Sequence, residues 1–526
     1  MTAPRTRLSH RLAAGMAATT LALTGCTAPS HSSGAIVDQV SDIKRVSVHD
    51  PSVVKANDTY YVFGSHRAWA KSTDLVNWET FSNNLSTDFK DILGDIWQAW
   101  PKQPANSDLT GNMWAPEVVW NETMGKWCMY MSVNGTNYKS VIVLLTADDI
   151  EGDWTYVGPV VYSGFRTDTM AATDVPQVLG SDTTPSRYLS PGDTEINAID
   201  PCVTYDEDGT MWMTFGSWFG GLWMLKLDPA TGLRDYSTTY NQVEDRSDPY
   251  YGVKIAGGHA VSGEGSYLLN TNGYWYLFVS YAALQQTGGY QVRLFRSKDI
   301  TGPYLDEAGN SAIFTSSITE NWLGGTGIRL MSSVQWSGND SDAIEVAQGH
   351  NSAMVDDDGT AYIVYHTRFS SRGEEHEVRV RELLPTADGW LTAAPYEYTG
   401  VKAASAGYAT SELSGDYELV VHKTATFFQG LQATAKSDGD NSGTQYKGVE
   451  LPVSITLHAN GTVSGERTGT WNVSEGSNQM TITLTSDDGE TTYAGAFADL
   501  PRDKDLKQVM TFSAIGGNQS IWASKV

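Results

Sequence analysis

Cysteine is nearly missing from this sequence, with three in 526 residues, at positions 26, 128 and 202. With no C-x-x-C pair and no Cys/His cluster, a structural zinc site is excluded. Cys128 and Cys202 each lie in or beside an apolar strand pattern and read as buried, unpaired thiols acting as small hydrophobes. Positive charge is scarce as well: 35 Lys and Arg face 61 Asp and Glu, for a formal charge of −26. That balance disfavours polyanion binding, so nucleic acid is not an expected partner. The one long apolar run, "LAAGMAATTLAL" (12–23), is too short to span a bilayer comfortably as a mature helix. What is abundant is aromatic and small: 17 Trp, 26 Tyr and 51 Gly, with charged residues at only 18%. This composition points to many short strands joined by tight turns, and to a neutral ligand met through aromatic faces and hydrogen bonds. The length exceeds the roughly 250–300 residues at which single cores stop growing, so two domains are expected.

The N-terminus reads as targeting rather than fold. Arg5, Arg7 and Arg11 precede the apolar run, which ends in "LTGC" (23–26). This resembles the bacterial lipobox, which implies a signal peptide over 1–25, cut before a Cys26 that carries diacylglycerol. Residues 26–40, opening "CTAPSHSSG", then form a flexible tether, and the chain is an exported lipoprotein held at a membrane face, or a secreted protein if the lipobox is not used.

One pattern recurs five times: a short motif, an apolar strand, a turn of Asn, Asp or Gly, and an aromatic strand. The copies are "HDPSVVKANDTYYVFGSH" (49–66), "WAPEVVWNETMGKWCMYMSV" (114–133), "IDPCVTYDEDGTMWMTFGSW" (199–218), "EGSYLLNTNGYWYLFVSY" (264–281) and "GHNSAMVDDDGTAYIVYHTR" (349–368). "DEDG", "TNG" and "DDDG" are hairpin-turn chemistry, and the acids Asp206, Asp208 and Asp356 to Asp358 are read as turn residues. With Pro51, Pro116, Pro201, Ser266 and Ser352 as equivalent, the spacings are 65, 85, 65 and 86 residues, too long for one hairpin. Repeated segments such as "TADDIEGDW" and "RSKDITGPY" mark a further strand. Four-stranded units repeated five times predict an all-β chain with a five-bladed β-propeller over 41–405.

In a propeller the first strand of each blade lines the central channel, so residues far apart in sequence meet at one mouth. In this register Glu264 falls with His49, Trp114, Ile199 and His350, and Asp50 and Asp200 occupy the next position. Singly, Asp50 in "HDPS" and Asp200 in "IDPC" read as Asp-Pro turn chemistry, but their shared register with Glu264 brings three carboxylates to one rim. Two carboxyl groups across a glycosidic bond cleave it without a cofactor, one protonating the leaving oxygen and the other activating water or attacking the sugar. A third nearby carboxylate raises the pKa of the acid. The expected roles are Asp50 as base, Glu264 as acid and Asp200 as modulator.

The ordered set "HDPS", "WAPEV", "NAIDP" with "FGSWFGG", "GEGSY" and "GHNS" resembles the family-43 glycoside hydrolases over roughly residues 40–400, and most of all their endo-acting arabinanases. The resemblance implies a five-bladed propeller, hydrolysis with inversion of internal α-1,5-L-arabinofuranosidic bonds, and the same three roles for Asp50, Asp200 and Glu264. It also implies a calcium-type ion on the channel axis, held through the histidine that matches His350. On residue chemistry alone His350 is a hydrogen-bonding group, since imidazole is a poor ligand for a hard cation. For an arabinan or arabino-oligosaccharide substrate, His49, Trp114, Trp218 and Phe219 are candidate sugar contacts, and Asn197 and Ser217 candidate hydrogen-bonding groups. From about Leu413 the repeat stops, and alternating segments with "ANGT" and "DDGE" turns predict a small C-terminal β-barrel over 412–526, an accessory domain. The rival readings are an exo-acting arabinofuranosidase or β-xylosidase of the same fold, and a noncatalytic surface sugar-binding propeller. A sucrose- or fructan-cleaving enzyme fits less well, because its first motif reads Asn-Asp-Pro-Asn-Gly rather than "HDPS".

Overall fold

The computed structural model describes residues 43–526, apart from 95, 97–99, 101–111, 136–137, 191, 318–322, 339–343, 425–431, 435–444, 448 and 488. The expected signal peptide, Cys26 and tether lie outside the described residues.

Five antiparallel sheets follow one another along the chain. The first holds β1 (Ser52–Ala56), β2 (Thr59–Gly64), β3 (Ala68–Ser72) and β4 (Glu79–Thr80), and the second β5 (Met113–Asn121), β6 (Lys126–Asn134), β7 (Ser140–Ala147) and β8 (Thr155–Tyr162). The third holds β9 (Cys202–Tyr205), β10 (Met211–Phe215), β11 (Leu222–Leu227), β12 (Ser247–Asp248) and β13 (Gly252–Ala256), with β13 paired to β11 and β12 added outside it. The fourth is β14 (Glu264–Thr271), β15 (Tyr274–Tyr281), β16 (Gln291–Ser297) and β17 (Ile328–Arg329). The fifth is β18 (Glu345–Val355), β19 (Ala361–Phe369), β20 (His376–Pro385) and β21 (Leu391–Ala393). These are the five blades of a β-propeller. Asp206 and Asp356 are turn residues as expected: the Asp206 carboxylate accepts the Thr210 N–H at 2.8 Å, and Gly359 N–H donates to the Asp356 carbonyl at 2.8 Å.

The blades stack through apolar faces. Phe63, Trp69, Met129, Leu144, Phe215 and Trp223 belong to one continuous core through blades one to three. Among the described residues the ring closes without a shared strand, by packing Val46, Val48, Val53 and Val62 against Tyr362, Val364 and Val380 of blade five and by a bond from Val378 N–H to the Val46 carbonyl at 3.0 Å. Cys128 and Cys202 are buried and free, one in β6 and one in β9.

Each blade carries the same device in or just before its inner strand. Asp50, Ala115, Asp200, Gly265 and His350 all hold left-handed backbone, with φ of 55°, 36°, 59°, 57° and 44°. Their spacings are 65, 85, 65 and 85 residues. This corrects the sequence register of blade five by one residue: His350 belongs with Asp50, Asp200 and Gly265, not with Glu264. The physical reason is that β18 is irregular, with its pairing to β19 broken at Val346/Gly349 and again at Gly349/Ser352.

Beyond the propeller, β22 (Gly415–His422), β25 (Val453–Leu457), β26 (Thr462–Gly465), β27 (Thr468–Val473), β28 (Gln479–Ser486), β29 (Gly489–Pro501), β30 (Gln508–Gly516) and β31 (Gln519–Lys525) close into an eight-stranded barrel. A side hairpin, β23 (Gln432–Thr434) with β24 (Gln445–Lys447), lies between β22 and β25 in the chain. Tyr417, Ile482, Phe497, Phe512 and Ile521 fill the interior, so the barrel is a packed core rather than a calyx. Its outer face shares a second core with blades four and five, where Val420, Ala498, Ile515 and Trp522 meet Leu330, Trp336, Leu384 and Trp390.

Candidate active site

At the end of the channel where the inner strands begin lies a cleft of about 900 Å³, open to solvent. Asp50, Asp200 and Glu264 all line it, together with His49, Trp114 and His350. The three carboxylates predicted to meet therefore do so, one each from blades one, three and four.

The repeat itself builds the rim. The N–H of each left-handed residue bonds back to the preceding blade: Ala115 donates to Ser65 Oγ at 2.8 Å, Asp200 to Ser132 Oγ at 3.0 Å, and His350 to Ser280 Oγ at 2.7 Å. Asp50 donates to His366 Nδ1 at 3.3 Å, closing the ring. Blade four departs from the rule. Gly265 donates to the Asp200 carboxylate at 3.2 Å, which leaves Ser217, the matching serine of blade three, free to donate to Glu264 Oε2 at 3.0 Å.

The environments of the acids differ. Asp50 is 8% exposed. Burial pulls its carboxyl up, but the imidazoles of His350 (3.1 Å), His49 (2.8 Å) and His366 (3.6 Å) outweigh burial and hold it well below the usual carboxylate range. Asp50 Oδ2 also accepts from Ser65 Oγ. Asp200, at 4% exposed, is pushed well above the usual range by burial and by the charges of Glu264 and Asp50. Glu264 is raised by burial, against the opposing pull of His350 and of hydrogen bonds from Tyr290 and Ser217. Tyr290 OH donates to its Oε1 at 2.9 Å and Trp218 Nε1 to its Oε2 at 3.0 Å. The site thus sets one carboxyl pulled down opposite two that are pushed up, and a general base paired with a general acid needs a split in that sense.

The predicted sugar contacts are less uniform. His49 and Trp114 line the cleft. Ser217 and Trp218 are turned onto Glu264. Phe219 packs its ring against Tyr138, centroids 4.3 Å apart. Asn197 is 5% exposed, and its Oδ1 accepts from Ser140 Oγ at 2.5 Å between blades two and three. Sequence reasoning missed Ser65, Tyr290, the buried His366 and the cleft wall made by Arg368, Glu374 and His376. Ser65 had a signal, since "FGSH" repeats the "FGSW" of blade three. His366 and Arg368 end the fifth copy of the repeat, but no counterpart in the other four copies marks them, and Tyr290, Glu374 and His376 lie outside the repeated motifs.

Below the three carboxylates, a small axial cavity is lined by Asp50, Asp200, Glu117, His350 and Asn351. Asn351 is 2% exposed, and its Oδ1 is a buried acceptor without a hydrogen-bond partner. Those oxygens fit a hard cation. A second donor group, His49, Asp50 and His366, brings its ligand atoms within 4.8 Å of one another, but two imidazoles suit softer metals.

Compared with known proteins, residues 42–175 and 161–391 match the profile of glycosyl hydrolases family 43, and residues 395–523 that of a C-terminal lipocalin-like domain. The chain is 34% identical to an extracellular endo-α-(1→5)-L-arabinanase 2 of Bacillus subtilis, over 92% of this chain and 93% of that protein. It is 32% identical to an extracellular endo-α-(1→5)-L-arabinanase of Thermotoga petrophila, covering 93% and 96%. A crystal structure of an endo-1,5-α-L-arabinanase from Thermotoga petrophila superposes with a TM-score of 0.76 at 29% identity, covering 92% of this chain and 99% of that one.

Proposed function

The chain belongs to glycosyl hydrolases family 43, and from that membership we propose that it is an exported endo-1,5-α-L-arabinanase, hydrolysing internal bonds of arabinan with inversion. The observation that carries this reading is the convergence of Asp50, Asp200 and Glu264 on one cleft, with Asp50 held ionised and the other two pushed up. Asp50 takes a proton from water as its oxygen attacks the anomeric carbon. Glu264 gives its proton to the departing glycosidic oxygen, and both groups then exchange protons with solvent. Asp200 is read as the modulator of the acid: its carboxylate accepts the N–H of Gly265, the residue next to Glu264, and its own carboxyl is pushed up by the charge of Glu264. His49 and Trp114 are placed to meet the sugar.

A calcium-type ion in the axial cavity would be held by His350 and the oxygens of Asp50, Asp200 and Asn351, and would supply fixed positive charge beneath the carboxylates. Exhaustive chelation is expected to lower both activity and melting temperature; no change in either removes the ion. For the N-terminus the reading is a lipid anchor at Cys26, so that Cys26→Ser releases the protein from membranes into the medium. Export is supported by the extracellular relatives.

The deciding experiment is a reducing-sugar assay on linear arabinan with product sizing. Early short oligomers are expected; monomer alone would mean an exo-acting enzyme, and no release a noncatalytic binding propeller.

A further inference from the structure

The stretch ahead of the acid, "GGHAVSG" (257–263), carries a histidine that the reaction does not use. His259 Nε2 lies 3.0 and 3.1 Å from the two carboxylate oxygens of Asp245. The same carboxylate accepts from Lys254 Nζ at 2.7 Å, and Lys254 is 2% exposed. Burial lowers the pKa of this lysine, with Asp245 working against that fall. Asp193 is the further acid facing the group, with Arg187 and Asp248 beyond it.

The lysine arm runs beneath two glycines. A Cβ at Gly258 would lie 2.3 Å from its Nζ, and one at Gly221 would lie 3.0 Å from its Cε. Lys254 is therefore packed between the 257–263 loop and the 217–221 turn. Those two segments bond to each other, Ala260 N–H to the Phe219 carbonyl at 2.8 Å and Trp218 N–H to the Gly263 carbonyl at 2.7 Å. In the turn, Trp218 and Phe219 both hold left-handed backbone, with φ of 49° and 42°. Two consecutive non-glycine residues keep that conformation only where the surroundings over-determine it. The same turn supplies Ser217 Oγ and Trp218 Nε1, both donors to Glu264 Oε2.

We propose that Asp245, Lys254 and His259 form a clamp, with Lys254 at its buried centre, that fixes the 217–221 turn and thereby aims Glu264. The proposal rests on the reading of Glu264 as the acid. All three are positioning residues, since none lines the cleft. The groups that face Glu264 directly are Tyr290, Ser217, Trp218, His350, Asp50 and Asp200.

His259→Ala is the test, because its ring is partly exposed and its removal leaves the Lys254–Asp245 pair intact. On a linear arabino-oligosaccharide, kcat is expected to fall about tenfold with KM within about twofold. His259→Gln, which keeps a donor for Asp245, restores most of kcat. A His259→Ala enzyme that melts lower yet keeps the wild-type kcat overturns the clamp and leaves a structural role. Near-normal hydrolysis by Glu264→Gln would instead remove the underlying assignment of the acid.

Discussion

Asp50 and Glu264 are both carboxyl groups, and what separates their chemistry is which neighbours face them. Three imidazoles hold Asp50 ionised, while Glu264 sits against Tyr290, Ser217 and Trp218 with other carboxyls nearby. Replacing Asp50 by Asn or Glu264 by Gln is expected to lower turnover by about 10²–10⁴-fold with the fold retained, checked by reducing-sugar release and circular dichroism. Tyr290→Phe removes a donor that stabilises ionised Glu264, so the acid's pKa rises. The upper limb of its pH profile should then move to higher pH, and an unmoved limb would show that the phenol does not tune the acid. At this scale the carboxylates were legible because each sits in a motif at a repeated offset. Tyr290 was not, because its role depends on where a loop outside the motifs returns to the channel.

At the scale of the element, the shared device is the left-handed residue in or just before each inner strand, which turns its side chain or its space toward the axis. For a non-glycine residue this conformation costs roughly 1–2 kcal/mol, and the bonds to the preceding blade offset it. Gly265 occupies this position for a further reason: a Cβ there would lie 3.0 to 3.2 Å from the His350 ring, at a φ of +57°. Gly265→Ala should destabilise by about 1–2 kcal/mol and displace His350 from Asp50, lowering activity beyond the stability loss; thermal melts and kcat on one preparation separate the two. The hairpins and blade count could be read from turn residues and spacing. The register of blade five could not, because the irregular pairing of β18 on either side of Gly349 shifts the count by one, and a lone glycine does not say by how much.

At the scale of the whole molecule, five blades meet on one buried acid. Glu117, 4% exposed, accepts from Ser52 Oγ at 2.6 Å and is also hydrogen-bonded by the Val203 backbone and the Tyr267 phenol. The Ala353 backbone bonds that phenol in turn. Burial pushes the Glu117 carboxyl up to about 8. A carboxyl raised on folding favours the folded state at low pH, and that contribution is lost as pH climbs from the ordinary carboxylate range through about 8. Glu117→Gln should therefore raise the melting temperature more at pH 8 than at pH 5, and an equal effect at both would refute the shifted pKa. The barrel acts at this scale too. Because Trp336, Leu384 and Trp390 share a core with Val420, Ile515 and Trp522, removing it should lower the melting temperature by roughly 10 °C, at 2–4 °C per kcal/mol. A propeller that melts unchanged alone would limit the barrel to a binding role.

The linear chain by itself determined the local and periodic features: strands from alternation, hairpins from Asp, Asn and Gly turns, five blades from spacing, and three carboxylates at matched offsets. Those features depend on neighbours in sequence or on repetition, and both are written in order along the chain. Only the tertiary structure decided which carboxyl is ionised, which serine bonds a backbone and which bonds the acid, and that the barrel completes the propeller's core. Each of these depends on burial and on groups brought together from different blades, and neither the dielectric nor the partner exists until the ring has closed.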